Sequence, residues 1–124
     1  MSDALADKVT QIALTKLQSS PTEAFFRGIL CNILVCLAVW MSFGARSVAG
    51  KVAVIIPPIS AFVRVGFEHS IANMYVFPVA MIGGFVDWDL SGLLLNLTFV
   101  TLGNIVGGGL LVAWPYWYIY IKPE

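Results

Sequence analysis

Long apolar runs alternate with short polar stretches along this chain, and each run is at least as long as a helix needs to be to cross a membrane. The runs cover residues 25–43, 52–82 and 93–121. About 20 apolar residues are enough to cross the hydrocarbon core of a bilayer as a helix. We therefore expect three membrane-spanning helices within a membrane domain that covers residues 24–124.

The segment before the first run, residues 1–23, is polar and amphipathic. Val9, Ile12 and Ala13 follow helical spacing, which favours a short helix at the membrane interface, but a flexible tail accounts for so short a pattern equally well. Residues 19–22 read Ser-Ser-Pro-Thr and precede Glu23. Serine and threonine cap helices, proline suits the first turn and an acid favours the positive end of the helix dipole, so a helix start is predicted here.

The second run is too long for one straight crossing, because 31 residues make a helix of roughly 46 Å against a hydrocarbon core of about 30 Å. Residues 66–74 read Gly-Phe-Glu-His-Ser-Ile-Ala-Asn-Met and include the only histidine of the chain. Pro57-Pro58 is expected to disturb the first turns. We expect this helix to break near residues 66–70, where backbone and ionisable groups need protein or water around them, so a functional site is predicted at the break.

Two further polar groups within the runs allow two interpretations each. Arg64 precedes Glu68 by one helical turn, so we expect an ion pair between them; the alternative is that Arg64 raises the positive potential of an anion path. The amide of Asn32 either bonds to a neighbouring helix or points into a pore.

Glycines cluster in the third run. Gly103 and Gly107 lie four residues apart and two more glycines follow, so bare backbone on one face lets another helix approach closely. Asn104 is the polar side chain of this stretch. Aromatic residues then form a belt at the exit from the membrane: Trp114, Tyr116, Trp117, Tyr118 and Tyr120.

Composition agrees with a multi-pass integral membrane protein: 59% of the residues are hydrophobic and 11% are charged, and the mean hydropathy is +0.87. The formal net charge of zero provides no basic field for nucleic acid. One histidine excludes bis-histidine haem ligation and His-rich metal sites, and the glycines lack the lysine of a phosphate-binding loop. We expect neither an enzyme nor a cofactor or metal.

The basic residues do not orient the chain in the membrane. Three lie on one side of the predicted spans and three on the other: Lys8, Lys16 and Arg27 against Arg46, Lys51 and Lys122. Since the excess of Lys and Arg sets orientation, the positive-inside rule gives a tie.

Three segments resemble the formate/nitrite transporter family. Residues 66–74 resemble its fifth-helix signature, and residues 28–41, with Gly-Ile-Leu-Cys-Asn and Val-Cys-Leu-Ala-Val-Trp-Met, resemble its fourth helix. The sixth-helix pattern is similar to residues 101–109, Thr-Leu-Gly-Asn-Ile-Val-Gly-Gly-Gly. The resemblance covers nearly the whole chain from about Lys16, and the segments occur in the family's order.

The resemblance implies an all-α, aquaporin-like channel of six helices in two inverted three-helix repeats, assembled as a homopentamer in the plasma or inner membrane. Such channels pass formate, nitrite or similar monovalent anions, with or without a proton. This chain resembles the second repeat, helices four to six, with the middle helix broken. It is expected to be a fragment, one of two split subunits or a short product, and a first-repeat half would be its partner.

The resemblance also implies roles for single residues. His69 matches the central pore histidine, Glu68 the acid beside it and Phe62 an aromatic of the outer constriction. Asn32 and Asn104 match pore-side asparagines, and Lys16 matches a vestibule lysine that attracts anions.

Two accounts of proton coupling stay open at this point. A protonated His69 can neutralise the anion so that it crosses the apolar rings as a weak acid. Alternatively, the field of Lys16 raises the proton affinity of the anion and bulk water supplies the proton. The sequence also allows a different class of function, in which the chain is a non-conducting structural or regulatory half-subunit.

Overall fold

The computed structural model of the protein describes residues 3–122, which form helices joined by short connections. The helices are α1 (Asp3–Leu17), α2 (Pro21–Gly44), α3 (Val48–Val65), α4 (Ser70–Ile82), α5 (Leu90–Ile105), the π-helix π1 (Val106–Ala113) and α6 (Trp114–Tyr120). Within residues 3–122, three stretches are long and apolar enough to cross a membrane: α2, α3 and the continuous stretch Leu90–Tyr120. The expected all-α fold class with three candidate spans is thus confirmed.

Short polar side chains determine where several helices begin. Ser20 precedes α2, and its Oγ accepts a hydrogen bond of 3.2 Å from the backbone N–H of Glu23. Ser47 does the same for Gly50 at the start of α3, at 3.1 Å. A cap of this kind satisfies one of the backbone N–H groups that the first helical turn leaves without a partner. Polar residues between the apolar runs therefore fix the helix starts.

The middle span stops at Val65 and begins again at Ser70. Gly66 ends α3 in the left-handed backbone region, with φ +77°, which glycine adopts without steric cost. The N–H of Phe67 donates to the carbonyl of Phe62 at 3.0 Å, and the N–H of Gly66 donates to the carbonyl of Val63 at 3.3 Å. This pair of bonds is the Schellman motif that satisfies the last carbonyl groups of a helix.

The prolines of this region do not interrupt the helices that contain them. Pro57 and Pro58 lie inside α3, and Pro78 lies inside α4. The expectation that Pro57-Pro58 disturbs the first turns was therefore wrong. Each proline removes one backbone donor, whereas the reversal of φ at Gly66 ends the helix.

Helix α2 packs closely against α5 and π1, because glycines expose the backbone at their contact. A Cβ atom on Gly103 would collide with the carbonyl oxygen of Phe25, and one on Gly107 would collide with the carbonyl oxygen of Ile29. On the other side of the contact, a Cβ atom on Gly28 would lie 2.8 Å from the carbonyl oxygen of Val100. Small residues of this kind let helices in a membrane approach to backbone distance, as the spacing of the glycines predicts.

We predict that Gly103→Ala and Gly107→Ala destabilise the protein. The added methyl group meets backbone of α2, which has no rotamer to move away, so overpacking should cost about 1–3 kcal/mol for each substitution. The midpoint of thermal unfolding of the purified protein in detergent measures the effect.

Gly109→Ala is the matched control. It lies in the same glycine run, and a Cβ atom there meets no heavy atom within 4 Å among the described residues. Equal midpoints for Gly103→Ala and Gly109→Ala would contradict the close approach of α2.

Candidate functional site

A half-open cleft of about 530 Å³ lies beside the break between α3 and α4. Four of the residues singled out from the sequence line it: Lys16 from α1, Phe62 from α3, and Glu68 and His69 from the break. Asn32 and Asn104 are not among its lining residues. The broken helix thus forms one wall of the cleft, and the end of α1 closes one side of it.

His69 is the residue immediately before α4, and its backbone is extended, with φ −116° and ψ 120°. The centroid of its ring lies 6.2 Å from that of Phe62. Its Nδ1 atom is buried and has no hydrogen-bond partner within residues 3–122. Because a buried polar atom without a partner is costly, this nitrogen needs a hydrogen-bond partner that the described residues do not supply.

Glu68 forms an ion pair with Lys16 across the sequence. The Nζ atom of Lys16 donates to Oε2 of Glu68 at 2.7 Å, and the exposed fractions of the two side chains are 15% and 1%. The expected pair between Arg64 and Glu68 was wrong. Those residues lie on opposite sides of the left-handed turn at Gly66, so the i,i+4 geometry of a continuous helix is lost.

Two asparagines complete a closed ring of hydrogen bonds around this ion pair. The Nδ2 atom of Asn73 donates to Oε2 of Glu68 at 2.6 Å and to Oδ1 of Asn96 at 2.8 Å. The Nδ2 atom of Asn96 donates to the backbone carbonyl of Lys16 at 3.1 Å. A carboxylate only accepts, so it fixes the orientation of the Asn73 amide and, through it, that of Asn96. The ring ties α1, the break, α4 and α5 together.

Asn104, on α5, stabilises the break through hydrogen bonds on the side away from the cleft. Its Oδ1 atom accepts from the N–H and the hydroxyl of Ser70, both at 3.0 Å. Its Nδ2 atom donates to the carbonyl groups of Gly28 at 2.9 Å and Glu68 at 3.0 Å. The side chain of His69 makes no capping bond to α4, so Asn104 supplies from another helix the cap that the restarting helix needs.

Asn32 supports this arrangement from α2. Its Nδ2 atom donates to the backbone carbonyl of Asn104 at 2.6 Å. Asn32 also packs against the glycine run, since a Cβ atom on Gly108 would collide with the Asn32 amide. The structure therefore shows Asn32 bonded to a neighbouring helix, and a pore-side role for Asn32 or Asn104 stays a prediction.

Sequence reasoning included the amide of Asn73 in the polar cluster but did not select it as a site residue, and it passed over Asn96. Both are buried asparagines in otherwise apolar helices. Such amides need partners, and that signal was present in the sequence. Their partners were not predictable, because they come from residues far away along the chain.

We predict that Lys16→Met destabilises the protein by about 3–5 kcal/mol, because it leaves the carboxylate of Glu68 buried without its counter-charge. The double variant Lys16→Met with Glu68→Gln should lose less, since the amide that replaces the carboxylate is neutral. Thermal unfolding midpoints of the two variants measure the difference.

Lys8→Met is the control for this pair, because Lys8 is an exposed lysine of the same helix. If Lys16→Met costs no more than Lys8→Met, the ion pair does not contribute to stability.

We predict that Asn104→Asp loosens the break although it preserves the shape of the side chain. The change removes both donors and leaves the carbonyl groups of Gly28 and Glu68 facing a carboxylate, at about 1–3 kcal/mol for each unsatisfied group. Hydrogen exchange at the backbone amides of residues 66–70 should accelerate. Asn32→Ala, which removes one bond, is the comparison, and equal exchange rates in the two variants would refute the capping role of Asn104.

Comparison with known proteins gives the same family as the sequence motifs. A family model described as "Formate/nitrite transporter" matches residues 1–118. A "Probable formate transporter" of Methanothermobacter thermautotrophicus is 49% identical over 113 residues, which cover 90% of this chain and 41% of that protein. The "Nitrite transporter NirC" of Salmonella typhimurium is 41% identical over 117 residues, 94% of this chain and 43% of that protein.

A solved structure titled "Pentameric formate channel with formate bound" superposes on this chain with a TM-score of 0.83 and 44% sequence identity. The match covers 98% of this chain and 56% of that one. The chain spans under half the length of the curated relatives named above. Together with the three candidate spans, these relatives confirm the expectation of an integral membrane protein, and the two curated relatives are named for transport rather than for catalysis.

Proposed function

Because this chain belongs to the formate/nitrite transporter family, we propose that it forms the pore-lining half of a channel for small monovalent anions such as formate or nitrite. The observation that carries the proposal is the position of His69, at a break in a membrane-spanning helix and on a cleft, with a buried ring nitrogen left open. An ionisable group at membrane depth that lines a cavity is typical of a substrate path.

The break offers an anion a favourable potential without a free negative charge. Helix α4 begins at Ser70, so the positive end of its dipole points toward the break. The carboxylate of Glu68 is compensated by Lys16 at 2.7 Å, so it does not repel an anion in the cleft. The Asn73 amide donates a hydrogen bond to the same carboxylate, which stabilises its negative charge further.

The imidazole of His69 would meet the anion at this point. As a neutral ring it donates a hydrogen bond, and as a protonated ring it neutralises the anion, so that a weak acid passes the apolar surroundings uncharged. The ion pair of Lys16 supports this account over the vestibule-field account. A lysine whose charge is balanced at contact distance by Glu68 has little field left to raise the proton affinity of a distant anion.

The assembly we propose is a homopentamer in the plasma or inner membrane, in which a first-repeat half completes each pore. The pentameric relative and the open side of the cleft support it. The formate and nitrite relatives also support either anion as substrate.

A second candidate function is a non-conducting half-subunit that joins a complete transporter. The open side of the cleft favours it, because residues 3–122 do not enclose a pore by themselves. In that case His69 has a structural role, and flux through the assembly does not depend on it.

We predict that His69→Ala lowers the uptake of formate and nitrite into vesicles by roughly tenfold to a hundredfold, since a hydrogen bond to a charged group contributes about 1.5–3 kcal/mol. His69→Asn keeps a donor but cannot be protonated. It should retain more uptake than His69→Ala and lose the dependence of uptake on external pH, if protonation of His69 couples the flux to a proton.

Thr98→Val on the exposed side of α5 is the matched control, and it should transport as the unchanged protein does. A native mass of each variant verifies the assembly. Uptake by His69→Ala equal to that of the control would eliminate the pore role and favour the half-subunit.

A further inference from the structure

Arg64 is a charged residue within a candidate membrane span. It takes part in neither of the two ion pairs between the described side chains. Those pairs join Lys16 to Glu68 and Arg27 to Glu23. Arg64 is exposed and lies in the last turn of α3, two residues before Gly66. Its guanidinium group is permanently charged and is costly in hydrocarbon, so its surroundings require an explanation.

The depth of Arg64 follows from the lengths of the helices on either side of the break. Helix α3 has 18 residues and α4 has 13, which correspond to about 27 Å and about 20 Å at 1.5 Å per residue. The connections at 45–47 and 83–89 lie at the two far ends. Arg64, beside the break, therefore lies about as far from one end of the broken span as from the other, which places its charge at membrane depth if α3 and α4 cross the bilayer together.

The direction of Arg64 follows from the helical positions of its neighbours. Half-buried Val54, Pro58 and Phe62 recur every four residues and mark the side of α3 that faces α2. Arg64 is two residues after Phe62, which places it about 200° around the helix, on the opposite side. Phe62 and Gly66 line the cleft, whereas Arg64 does not. The guanidinium group therefore points away from both α2 and the cleft.

The side of α3 that carries Arg64 is left uncovered by the described part of the chain. Helix α3 has no buried residue, and its close packing within residues 3–122 is with α2. The positions one turn before Arg64 are Ser60 and Ala61, both exposed and small. Small residues suit the close approach of another helix better than contact with lipid.

We propose that the side of α3 opposite α2 binds a further membrane-spanning segment, outside residues 1–124, that presents an aspartate or glutamate carboxylate to Arg64. A carboxylate is the counter-charge that a guanidinium group binds through two parallel hydrogen bonds. A second copy of this chain does not provide it. Of the seven acidic residues in the sequence, Glu68 is the one within the predicted spans, and Lys16 already neutralises it.

This contact does not depend on transport, so its test uses a covalent bond rather than flux. In the assembly isolated from its membrane, the Arg64→Lys variant keeps the charge and introduces an amine. A hydrophobic carbodiimide activates a carboxylate, and an amine in contact with it then forms an amide bond. The carbodiimide takes up the water that is lost and becomes a urea. We expect an adduct between position 64 and an acidic residue of another segment, identified by mass spectrometry, and its loss in Arg64→Gln.

The pair of Lys16 and Glu68 is the internal positive control, because the same reagent should join these side chains in every variant. A native mass shows whether the variants assemble. An adduct between two copies of this chain, or no adduct at position 64 while the control pair is joined, would overturn the proposal. In the latter case, a spin label on Arg64→Cys in a background without Cys31 and Cys36 distinguishes lipid contact from protein contact by its accessibility to oxygen.

Discussion

The four hydrogen bonds of Asn104 are the interaction on which the broken helix depends. A helix that stops inside a membrane leaves carbonyl groups at one end and N–H groups at the other, and hydrocarbon offers neither a partner. The Schellman turn at Gly66 satisfies the end of α3 locally. The start of α4 has no local cap, so an amide from α5 bonds to Ser70 and to the carbonyl of Glu68. This amide can reach the break because the glycines of α5 and π1 bring α2 and α5 to backbone distance.

A second constraint is the charge that the break brings to membrane depth. A buried carboxylate is tolerated only when it is paired and its remaining oxygen positions accept hydrogen bonds. Lys16 supplies the counter-charge of Glu68, and Asn73 donates a second hydrogen bond to the same oxygen, Oε2. Asn96 accepts from Asn73 and donates to the backbone carbonyl of Lys16, so it fixes both residues. The ring therefore has a consequence for packing as well as for charge, because it attaches α1 to the membrane helices. The side chain and the backbone carbonyl of one lysine thus tie a polar, amphipathic segment to the membrane helices, beside the packing of buried Ala13.

Much of this arrangement was predictable from the sequence, for identifiable physical reasons. The break could be located because Gly66 and a cluster of polar groups coincide in a run too long for one crossing. The partner of Glu68 could not be located, since the i,i+4 rule that suggests Arg64 assumes the continuous helix that Gly66 interrupts. For Asn104, the residue type indicated a hydrogen-bonding role, but its four bonds go to three residues in two distant parts of the chain, the break and α2. Long-range partners of this kind follow from the packed fold and not from local spacing.

The balance of charge at the break explains why its two bases have different roles. The carboxylate of Glu68 forms an ion pair with Lys16 at contact distance. Because the two charges cancel, the pair adds no net negative charge to the cleft beside His69. Arg64 is excluded from the pair by the turn at Gly66 and directed to the other side of α3. The same left-handed residue thus separates a compensated charge that faces the cleft from an uncompensated one that faces outward. A single backbone reversal therefore determines both where His69 meets the cleft and which side of α3 carries the guanidinium group of Arg64.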